Sequence, residues 1–364
     1  MYQEKYMLRA IELAEKARGK CSPNPAVGAV LVQNDNIIGE GYTQIYGEDH
    51  AEVNAIKQSR ESTEGADLYV TLEPCSHYGK TPPCVEAIYK AGIKNVYAGI
   101  KDPNPKVNGR GFFLLKMAGI NIEYPFFEEE ISNQLEYYLT WIQSKKPFVI
   151  LKNAVSLDSK IASVYSDSKW ITNDLSRQRV HLLRSEVDAV LTTINTVQAD
   201  NPMLNVRLSN DCKQPIRVIL DPFLKIDINS NIYKTADIYK TLIFYNSKIE
   251  IPNIHEDAIN KKFPVLIPVS ANEEFLNINE VLIKLGEMKI TSVLIEAGTK
   301  LNTFLLENNL VDKLFYFIAP KILGGNTNVF EGLKKQINLK NIKIEIIDKD
   351  ILIIAKCVSN NNLK

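Results

Sequence analysis

The chain has 364 residues, of which 45% are hydrophobic, and its 43 basic side chains balance its 43 acidic ones. This length can bury a full core in each of two domains. The balanced charge argues against a nucleic-acid partner, which would favour a basic surface. No apolar run approaches the length that spans a membrane. The composition therefore predicts a soluble two-domain protein that binds neither nucleic acid nor membrane.

The five cysteines are odd in number and widely spread, so they do not suggest a disulfide framework. Cys21, Cys212 and Cys357 are most simply free thiols of a reducing compartment. The first residues, MYQEKYMLRAIELAEKA, have the interleaved charges of an amphipathic helix and lack the pattern of a signal peptide. We therefore expect a cytoplasmic protein.

The first part of the chain predicts a three-layer α/β/α domain with a mixed sheet, spanning residues 1–145. After the N-terminal helix, strands are expected at residues 27–32, 37–42, 67–72, 95–100 and 120–124, and helices at 51–59, 85–91 and 128–143. Lys145-Lys146-Pro147 is the best linker, because it is charged and ends in a helix breaker.

The remainder predicts a second α/β domain at residues 146–360, because strands again alternate with helices. Strands are expected at residues 148–152, 188–193, 216–220, 241–244, 292–295 and 314–319, and helices at 175–185, 278–287 and 301–307. Two alternating segments, 343–347 and 351–357, indicate a terminal hairpin.

A potential catalytic zinc site is carried by His50, Glu52, Cys75 and Cys84. A catalytic zinc takes three protein ligands, here the histidine and the two cysteines, and leaves a fourth position for water. Glu52 lies two residues after His50, so it can face the cavity and carry protons without being a ligand. Together these residues indicate a zinc-dependent deaminase of a heterocyclic amine.

The predicted elements support this site. His50 precedes a helix, Cys75 follows a strand, and Cys84 begins a helix whose positive N-terminal field favours a thiolate. Eight residues separate the cysteines, whereas the common signature has two. Incidental buried thiols and a surface histidine are therefore the alternative for each residue alone, but their joint order favours the deaminase.

The segment from Pro74 to Cys84, PCSHYGKTPPC, resembles the deaminase half of the bifunctional riboflavin-biosynthesis deaminase–reductase family. The segments SPNPAVG, DPNP and GRG, which begin at Ser22, Asp102 and Gly109, resemble it too. The resemblance implies a cytidine-deaminase-like fold. The sequence departs from the family pattern at Asn54, where the family usually has a second histidine. Candidate substrate contacts are Asn24, His77 and Lys80, for which a turn and a solvated loop are the alternatives.

The second domain lacks a Gly-x-Gly-x-x-Gly segment after a strand, so a Rossmann cofactor site is not supported. It resembles the reductase half of the same family, which has a dihydrofolate-reductase-like fold and uses NADPH to reduce a ribosyl group to a ribityl chain. The matching segments are LKNAVSLD from Leu151, DSKWIT from Asp167, ADNPMLNVR from Ala199, EAG from Glu296 and PKILGG from Pro320.

The resemblance implies roles for individual residues of this domain, although each alone could be a turn or core residue. NADPH would be bordered by Ala154, Trp170, Thr196 and Asp200, and its phosphates received at the helix start formed by Gly298, Thr299, Lys300, Leu301, Asn302, Thr303 and Phe304. The substrate would be bound by Ser168, Arg184, Leu204, Arg207 and Glu296, with both arginines suited to its phosphate. Lys152 and Asp200 are further candidates for proton transfer and orientation.

Four residues depart from the reductase pattern: Ser159, Thr193, Asn195 and Ala297 stand where the family typically has glycine. Glycine at such places usually permits a positive φ or a close approach to a ligand. The alternative to a bifunctional enzyme is therefore a monofunctional deaminase with a degenerate reductase domain.

The sequence predicts a riboflavin-biosynthesis enzyme that deaminates a phosphoribosylaminated diaminopyrimidinone with zinc and then reduces its ribose with NADPH. The resemblance also implies a homo-oligomer. Two further alternatives are a nucleoside or RNA-base deaminase, which would favour a basic aromatic surface, and a non-catalytic zinc-stabilised protein. Against the second, a structural zinc normally has four protein ligands and needs no proton carrier such as Glu52.

Overall fold

The computed structural model describes residues 2–162, 170–208, 212–252, 264–272 and 275–358. The chain forms two compact units, Met1–Lys146 and Pro147–Lys364. Among the helices of the described ranges, none is long and apolar enough to cross a membrane.

Unit 1 contains a five-stranded sheet in the order β2-β1-β3-β4-β5. Its strands are β1 (Gly28–Gln33), β2 (Asn36–Tyr42), β3 (Asp67–Leu72), β4 (Asn95–Ile100) and β5 (Asn121–Glu123). Its helices are α1 (Glu4–Glu15), α2 (Ala51–Gln58), α3 (Cys84–Lys90), α4 (Arg110–Met117), α5 (Glu128–Gln134) and α6 (Glu136–Ser144). β1 is antiparallel to β2 and β3, whereas β3, β4 and β5 run parallel, so the sheet is mixed.

Glycines let two helices pack closely on opposite faces of this sheet. A side chain at Gly28 would collide with the backbone of α1, and side chains at Gly39 or Gly41 would collide with the backbone of α2. Gly41 pairs with Ala29, the neighbour of Gly28, so the glycines of β1 and β2 point to opposite faces. The sheet therefore lies between α1 and α2, and the close contact with α2 fixes the helix that begins after His50.

Unit 2 contains a nine-stranded sheet in the order β10-β9-β8-β7-β11-β6-β12-β14-β13. Its strands are β6 (Phe148–Ser156), β7 (Ala189–Thr193), β8 (Ile216–Leu220), β9 (Thr241–Asn246), β10 (Val265–Val269), β11 (Ser292–Ile295), β12 (Lys313–Ala319), β13 (Asn338–Ile347) and β14 (Asp350–Val358). Its helices are α7 (Asp174–Glu186), α8 (Ile194–Asp200), α9 (Asn231–Lys234), α10 (Ile278–Glu287) and α11 (Thr299–Glu307). The strands from β10 to β12 run parallel, and the terminal hairpin is antiparallel.

The observed elements differ from the predicted ones in a few places. The single helix expected at residues 128–143 is two helices, α5 and α6, because Leu135 leaves the helical region with φ −93° and ψ 9°. The elements α4, α8, α9 and β10 were not predicted, since each is short and lacks a long hydrophobic period.

Candidate active sites

The three predicted zinc ligands of unit 1 lie together at the ends of regular elements. His50 immediately precedes α2, Cys84 is the first residue of α3, and Cys75 lies three residues beyond β3. The Nδ1 atom of His50 is 3.5 Å from the Cys75 sulfur and 3.3 Å from the Cys84 sulfur. The three ligand atoms all lie within 4.8 Å of one another.

This donor set fits a zinc ion. Zinc bonds of about 2.3 Å to sulfur and about 2.0 Å to nitrogen, at tetrahedral angles, place neighbouring ligand atoms about 3.5 Å apart. The observed separations from His50 Nδ1 match that spacing. The Cys84 backbone amide also donates to the Cys75 sulfur at 3.3 Å, which stabilises a thiolate there.

The titratable groups around the three ligands are strongly shifted. The hydrogen bond from the Cys84 thiol, together with His50, lowers the pKa of Cys75 to about 4 against the effect of burial, so Cys75 carries the negative charge of the pair. Glu52 is only 4% exposed. Burial, followed by the charge of Cys75, raises the pKa of Glu52 to about 7. A buried carboxyl group thus lies beside the predicted metal position.

A second buried carboxylate, Glu73, holds the polypeptide next to Cys75. Its two oxygens accept hydrogen bonds from the backbone amides of Asp102, Gly109, Gly111 and Phe112, at 2.9–3.4 Å. A side chain at Gly111 would collide with the carbonyl of Pro74. Glu73 was not among the predicted site residues, although an acidic residue directly after the apolar strand β3 is a visible signal.

Three candidate substrate contacts and Asn54 lie in different settings of unit 1. His77 has a buried Nδ1 atom without a hydrogen-bond partner among the described residues. Lys80 is exposed, with its ammonium 4.3 Å from the ring centre of Tyr46. Asn24 is half-buried in a turn in which its backbone amide donates to the Cys21 carbonyl.

The side chain of Asn54 donates to the Tyr42 carbonyl at 3.0 Å and to the Asp49 carbonyl at 3.2 Å. Asn54 also lines a cavity of about 530 Å³ beside the segment that leads to His50.

In unit 2, Arg184, Glu296 and Lys152 form a cluster whose side chains are only 12–15% exposed. Arg184 bonds both oxygens of Glu296, from Nε at 2.6 Å and from a terminal nitrogen at 3.0 Å. The Lys152 ammonium lies 3.8 Å from Glu296. Burial raises the pKa of Glu296, but Arg184 and Lys152 outweigh it and lower that pKa to about 2. Burial, followed by Arg184, lowers the pKa of Lys152 despite the opposing charge of Glu296.

Arg207 and Leu204 lie in the irregular segment that follows α8. Leu204 is buried and has φ 51°, and Arg207 is exposed. A terminal nitrogen of Arg207 donates to the side chain of Asn205 at 3.0 Å, and Arg184 donates to the backbone carbonyl of the same Asn205 at 3.1 Å. The two predicted substrate arginines are therefore connected through one residue.

The start of α11 has the features of a phosphate-binding helix terminus. Gly298 precedes the helix with φ −80°, and a Cβ atom there would meet nothing within 4 Å. This open approach to unpaired backbone amides suits the phosphates of NADPH. The amide side chain of Asn302 is fully buried, and neither of its polar atoms has a hydrogen-bond partner in the described part of the chain. The residues present thus fit a polar cofactor.

Other side chains of α11 serve the fold. Leu301 is 3% exposed in the core, and Phe304 stacks on Phe275 with ring centres 5.4 Å apart. The hydroxyls of Thr299 and Thr303 bond Asn328 O at 2.7 Å and Glu331 O at 3.0 Å. These four side chains are therefore engaged in the fold, and the backbone amides of the helix start remain suited to the predicted phosphate contact.

The other predicted cofactor residues lie on one strand, one helix and one turn. Ala154 lies on β6, and Thr196 and Asp200 lie one turn apart on α8. Trp170 is 62% exposed, its ring lies 4.5 Å from the Arg177 guanidinium, and its carbonyl accepts from Lys321. Ser168 lies outside the described residues.

The four departures from glycine have different consequences. Ser159 has φ 60°, the left-handed region that favours glycine, and its hydroxyl accepts a 3.3 Å hydrogen bond from Tyr316. Thr193 has an ordinary φ of −110°. Ala297 and Asn195 are likewise absent from the residues with positive φ in the described ranges. Backbone strain is therefore an issue only at Ser159.

Both halves of the chain match known protein families. Residues 1–100 match the cytidine and deoxycytidylate deaminase zinc-binding region, and residues 147–353 match the RibD C-terminal domain. Riboflavin biosynthesis protein RibD of Actinobacillus pleuropneumoniae is 38% identical over 360 residues, which cover 96% of this chain and 93% of that protein. The chain belongs to the RibD family. The Escherichia coli RibD is 36% identical, over 95% of this chain and 96% of its own.

Solved RibD structures share the whole fold. An Acinetobacter baumannii RibD structure has a TM-score of 0.88 at 34% identity, with 98% of each chain covered. The Thermotoga maritima diaminohydroxyphosphoribosylaminopyrimidine deaminase/5-amino-6-(5-phosphoribosylamino)uracil reductase has a TM-score of 0.84 at 36% identity, again with 98% of each chain covered.

The RibD family membership confirms several predictions made from the sequence. The fold class, a cytidine-deaminase-like domain followed by a reductase domain, is confirmed. The chain is an enzyme with a deaminase domain and a reductase domain, and zinc and NADPH are its cofactors. The alternative of a monofunctional deaminase is not favoured, since both domains match across the chain.

Proposed function

We propose that this RibD protein deaminates 2,5-diamino-6-(5-phosphoribosylamino)pyrimidin-4-one and then reduces the ribosyl group of 5-amino-6-(5-phosphoribosylamino)uracil to ribityl. The single observation that carries the proposal is the convergence of His50, Cys75 and Cys84 beside buried Glu52, in a chain matched over nearly its whole length by RibD proteins. The functional domains are residues 1–145 for the deaminase and 146–360 for the reductase.

In the deaminase, His50, Cys75 and Cys84 would hold the metal, which when bound polarises water for attack on the ring carbon. Glu52 takes a proton from that water and passes it to the departing amine. Glu52 is the second residue of α2 and is 4% exposed, so it lies near the ligands and away from bulk solvent. The turn of Asn24 and the loop of His77 and Lys80 contact the substrate.

In the reductase, NADPH when bound supplies a hydride to the anomeric carbon. As the bond from that carbon to the ring oxygen breaks, the ring oxygen needs a proton, and Lys152 donates it. Burial lowers the Lys152 pKa, which makes the ammonium a better donor. Arg184 and Arg207 hold the substrate phosphate, with Glu296, Leu204 and Ser168 completing the substrate site.

The cofactor of the reductase would lie along β6, α8 and the start of α11. Ala154, Trp170, Thr196 and Asp200 border it, and the backbone from Gly298 through Thr299, Lys300, Leu301, Asn302, Thr303 and Phe304 receives its phosphates. The open space at Gly298 and the buried, unpartnered amide of Asn302 support this placement.

The enzyme is a cytoplasmic homo-oligomer in this proposal. The edge strand β13 and its neighbour β14 support self-association, because their pairs Ile346–Ile351 and Ile344–Ile353 lie on one face. Ile344 is 63% and Ile346 78% exposed, which is unusual for large aliphatic side chains on a long edge strand.

The proposal is tested by comparing zinc-loaded and metal-free protein on the two reactions. The zinc-loaded protein should release ammonia from the diaminopyrimidinone, and chelation should abolish this release. Oxidation of NADPH by the deaminated compound should survive chelation, because the reductase residues all lie in the second unit. Ammonia release by fully metal-free protein, or NADPH oxidation that needs zinc, would contradict the assignment.

A further inference from the structure

The segment of residues 201–207, which carries Leu204 and Arg207, contains no helix or strand. Side chains from other parts of unit 2 hold it in place. Asn231 donates to Asn201 O at 2.8 Å, Arg217 donates to Met203 O at 3.2 Å, and Gln214 bonds both the amide and the carbonyl of Val206, at 2.8 and 3.1 Å. Because the segment lacks a hydrogen-bond ladder of its own, these contacts decide where Arg207 lies.

Asn205 is the centre of this arrangement. Its backbone carbonyl accepts from Arg184 at 3.1 Å, and its side-chain oxygen accepts from Arg207 at 3.0 Å. Its side-chain nitrogen donates to the Tyr239 hydroxyl at 3.2 Å. Asn205 is 7% exposed, so these contacts are shielded from solvent. One residue thus bonds two guanidinium groups through two different oxygens.

Tyr239 is itself anchored by Arg217. A terminal nitrogen of Arg217 donates to the Tyr239 carbonyl at 3.1 Å, and its guanidinium lies 5.3 Å from the centre of the Tyr239 ring. Arg217 is fully buried, and its recorded partners are neutral: Thr241, Thr235 and the carbonyls of Met203, Ile232 and Tyr239. A buried arginine with all these hydrogen bonds is a rigid support for the tyrosine.

We infer that Asn205 and Tyr239 are positioning residues that set the spacing of Arg184 and Arg207 for the substrate phosphate. Glu296 already offsets the charge of Arg184, so the hydrogen bond to Asn205 restricts where the exposed Arg207 side chain can lie. Bonding both to Asn205 keeps them in place before the anion arrives, which lowers the entropic cost of binding. The inference rests on the proposed function in one respect, namely that these arginines bind the phosphate.

The test measures reductase KM and kcat for Asn205→Ala and Tyr239→Phe with two substrates. One is 5-amino-6-(5-phosphoribosylamino)uracil, and the other is the same compound without its phosphate. Asn205→Ala should raise KM for the phosphorylated compound about tenfold, because it removes the hydrogen bond to a charged group. Tyr239→Phe keeps the ring over Arg217 and should raise it about threefold. For both variants, kcat and the KM of the unphosphorylated compound should change less than about twofold.

Two controls separate positioning from loss of stability. Asn277→Ala removes an asparagine cap from α10, which lies outside the 201–207 segment, and should leave both KM values unchanged. Deaminase turnover, which depends on unit 1, should also be unchanged in every variant. If Asn205→Ala fails to fold, the milder Tyr239→Phe decides the question by the same criterion.

The outcomes also separate this inference from the proposed function. If Arg207→Ala raises KM for both compounds equally, the phosphate role of Arg207 is wrong, and the inference fails with it. If Arg207→Ala acts only on the phosphorylated compound but Asn205→Ala and Tyr239→Phe act on both compounds or on neither, the positioning role alone is wrong.

Discussion

The zinc site of unit 1 and the arginine cluster of unit 2 are built in different ways. All four zinc-site residues fall within residues 50–84, and the three ligands lie at or just beyond the ends of α2, β3 and α3. The arginine cluster joins Lys152, Arg184, Arg207 and Glu296, which are spread over residues 152–296 of the chain.

The difference teaches how each site keeps its geometry. Helix and strand ends fix the zinc ligands, and the backbone amides that bond Glu73 hold the loop beside them. In unit 2, buried side chains such as Asn205 and Arg217 do this work for a segment without regular structure. We therefore expect the first site to depend on its own few residues and the second to depend on a wider network.

The largest expected effect separates chemistry from metal binding in unit 1. Glu52→Gln should reduce deamination by about 10²–10⁴-fold, because the proton carrier is lost while the shape is kept. Zinc content, measured by elemental analysis, should stay the same, and so should reductase activity. Retained turnover would contradict the role of Glu52 as proton carrier. Loss of zinc would show that metal binding depends on Glu52 as well as on the three ligands.

The next effect breaks the buried cluster of unit 2. Glu296→Gln leaves Arg184 and Lys152 without their anion, and removing one partner of a buried ion pair costs about 3–5 kcal/mol. The thermal midpoint of unit 2 should fall, and reductase activity should be lost. The matched control is Glu345→Gln, whose partners Arg179 and Lys343 are more exposed, and it should cost at most about 1 kcal/mol. An equal fall of the thermal midpoint in both variants would show that the Glu296 ion pairs contribute no more to stability than an exposed ion pair does.

A smaller effect concerns pH and His181 on α7. Burial, followed by Arg184 and Arg207, lowers the pKa of His181 to about 4. The unfolded chain has a histidine pKa of about 6.5 and binds the proton first, so stability is lost as pH falls from about 6.5 to about 4. The Glu296 contribution is lost only below its unfolded value of about 4.3. His181→Gln should therefore reduce the fall in the thermal midpoint between pH 7.5 and 5, and an unchanged fall would contradict this.

The smallest effect is expected at Ser159. Ser159→Gly removes a left-handed strain of about 1–2 kcal/mol but also adds chain entropy and loses the hydrogen bond from Tyr316. The net change in the free energy of unfolding should be within about 1 kcal/mol, and NADPH affinity should change little. A large gain in affinity would mean that this departure from glycine does limit the cofactor site.

The sequence predicted the organisation into two α/β domains and nearly every long element, because strands such as Asp67–Leu72 and helices such as Ile278–Glu287 have a clear hydrophobic period. It also predicted the residues that converge in the zinc site, since they are close in the chain and follow an ordered motif. It could not predict Asn205 or Tyr239 as supports, because a lone asparagine or tyrosine in an irregular segment carries no pattern that shows which side chains it bonds. Arg217 did leave a signal, as a charged residue inside an apolar strand.

The most direct test is mass spectrometry of the products formed by the zinc-loaded protein from the diaminopyrimidinone ribosyl phosphate, with and without NADPH. We predict exchange of one amine for oxygen without the cofactor, and a further gain of two hydrogens when NADPH is present. Deamination in both samples without reduction would contradict the reductase half of the proposal. No deamination in either sample, with zinc occupancy confirmed, would contradict the central claim.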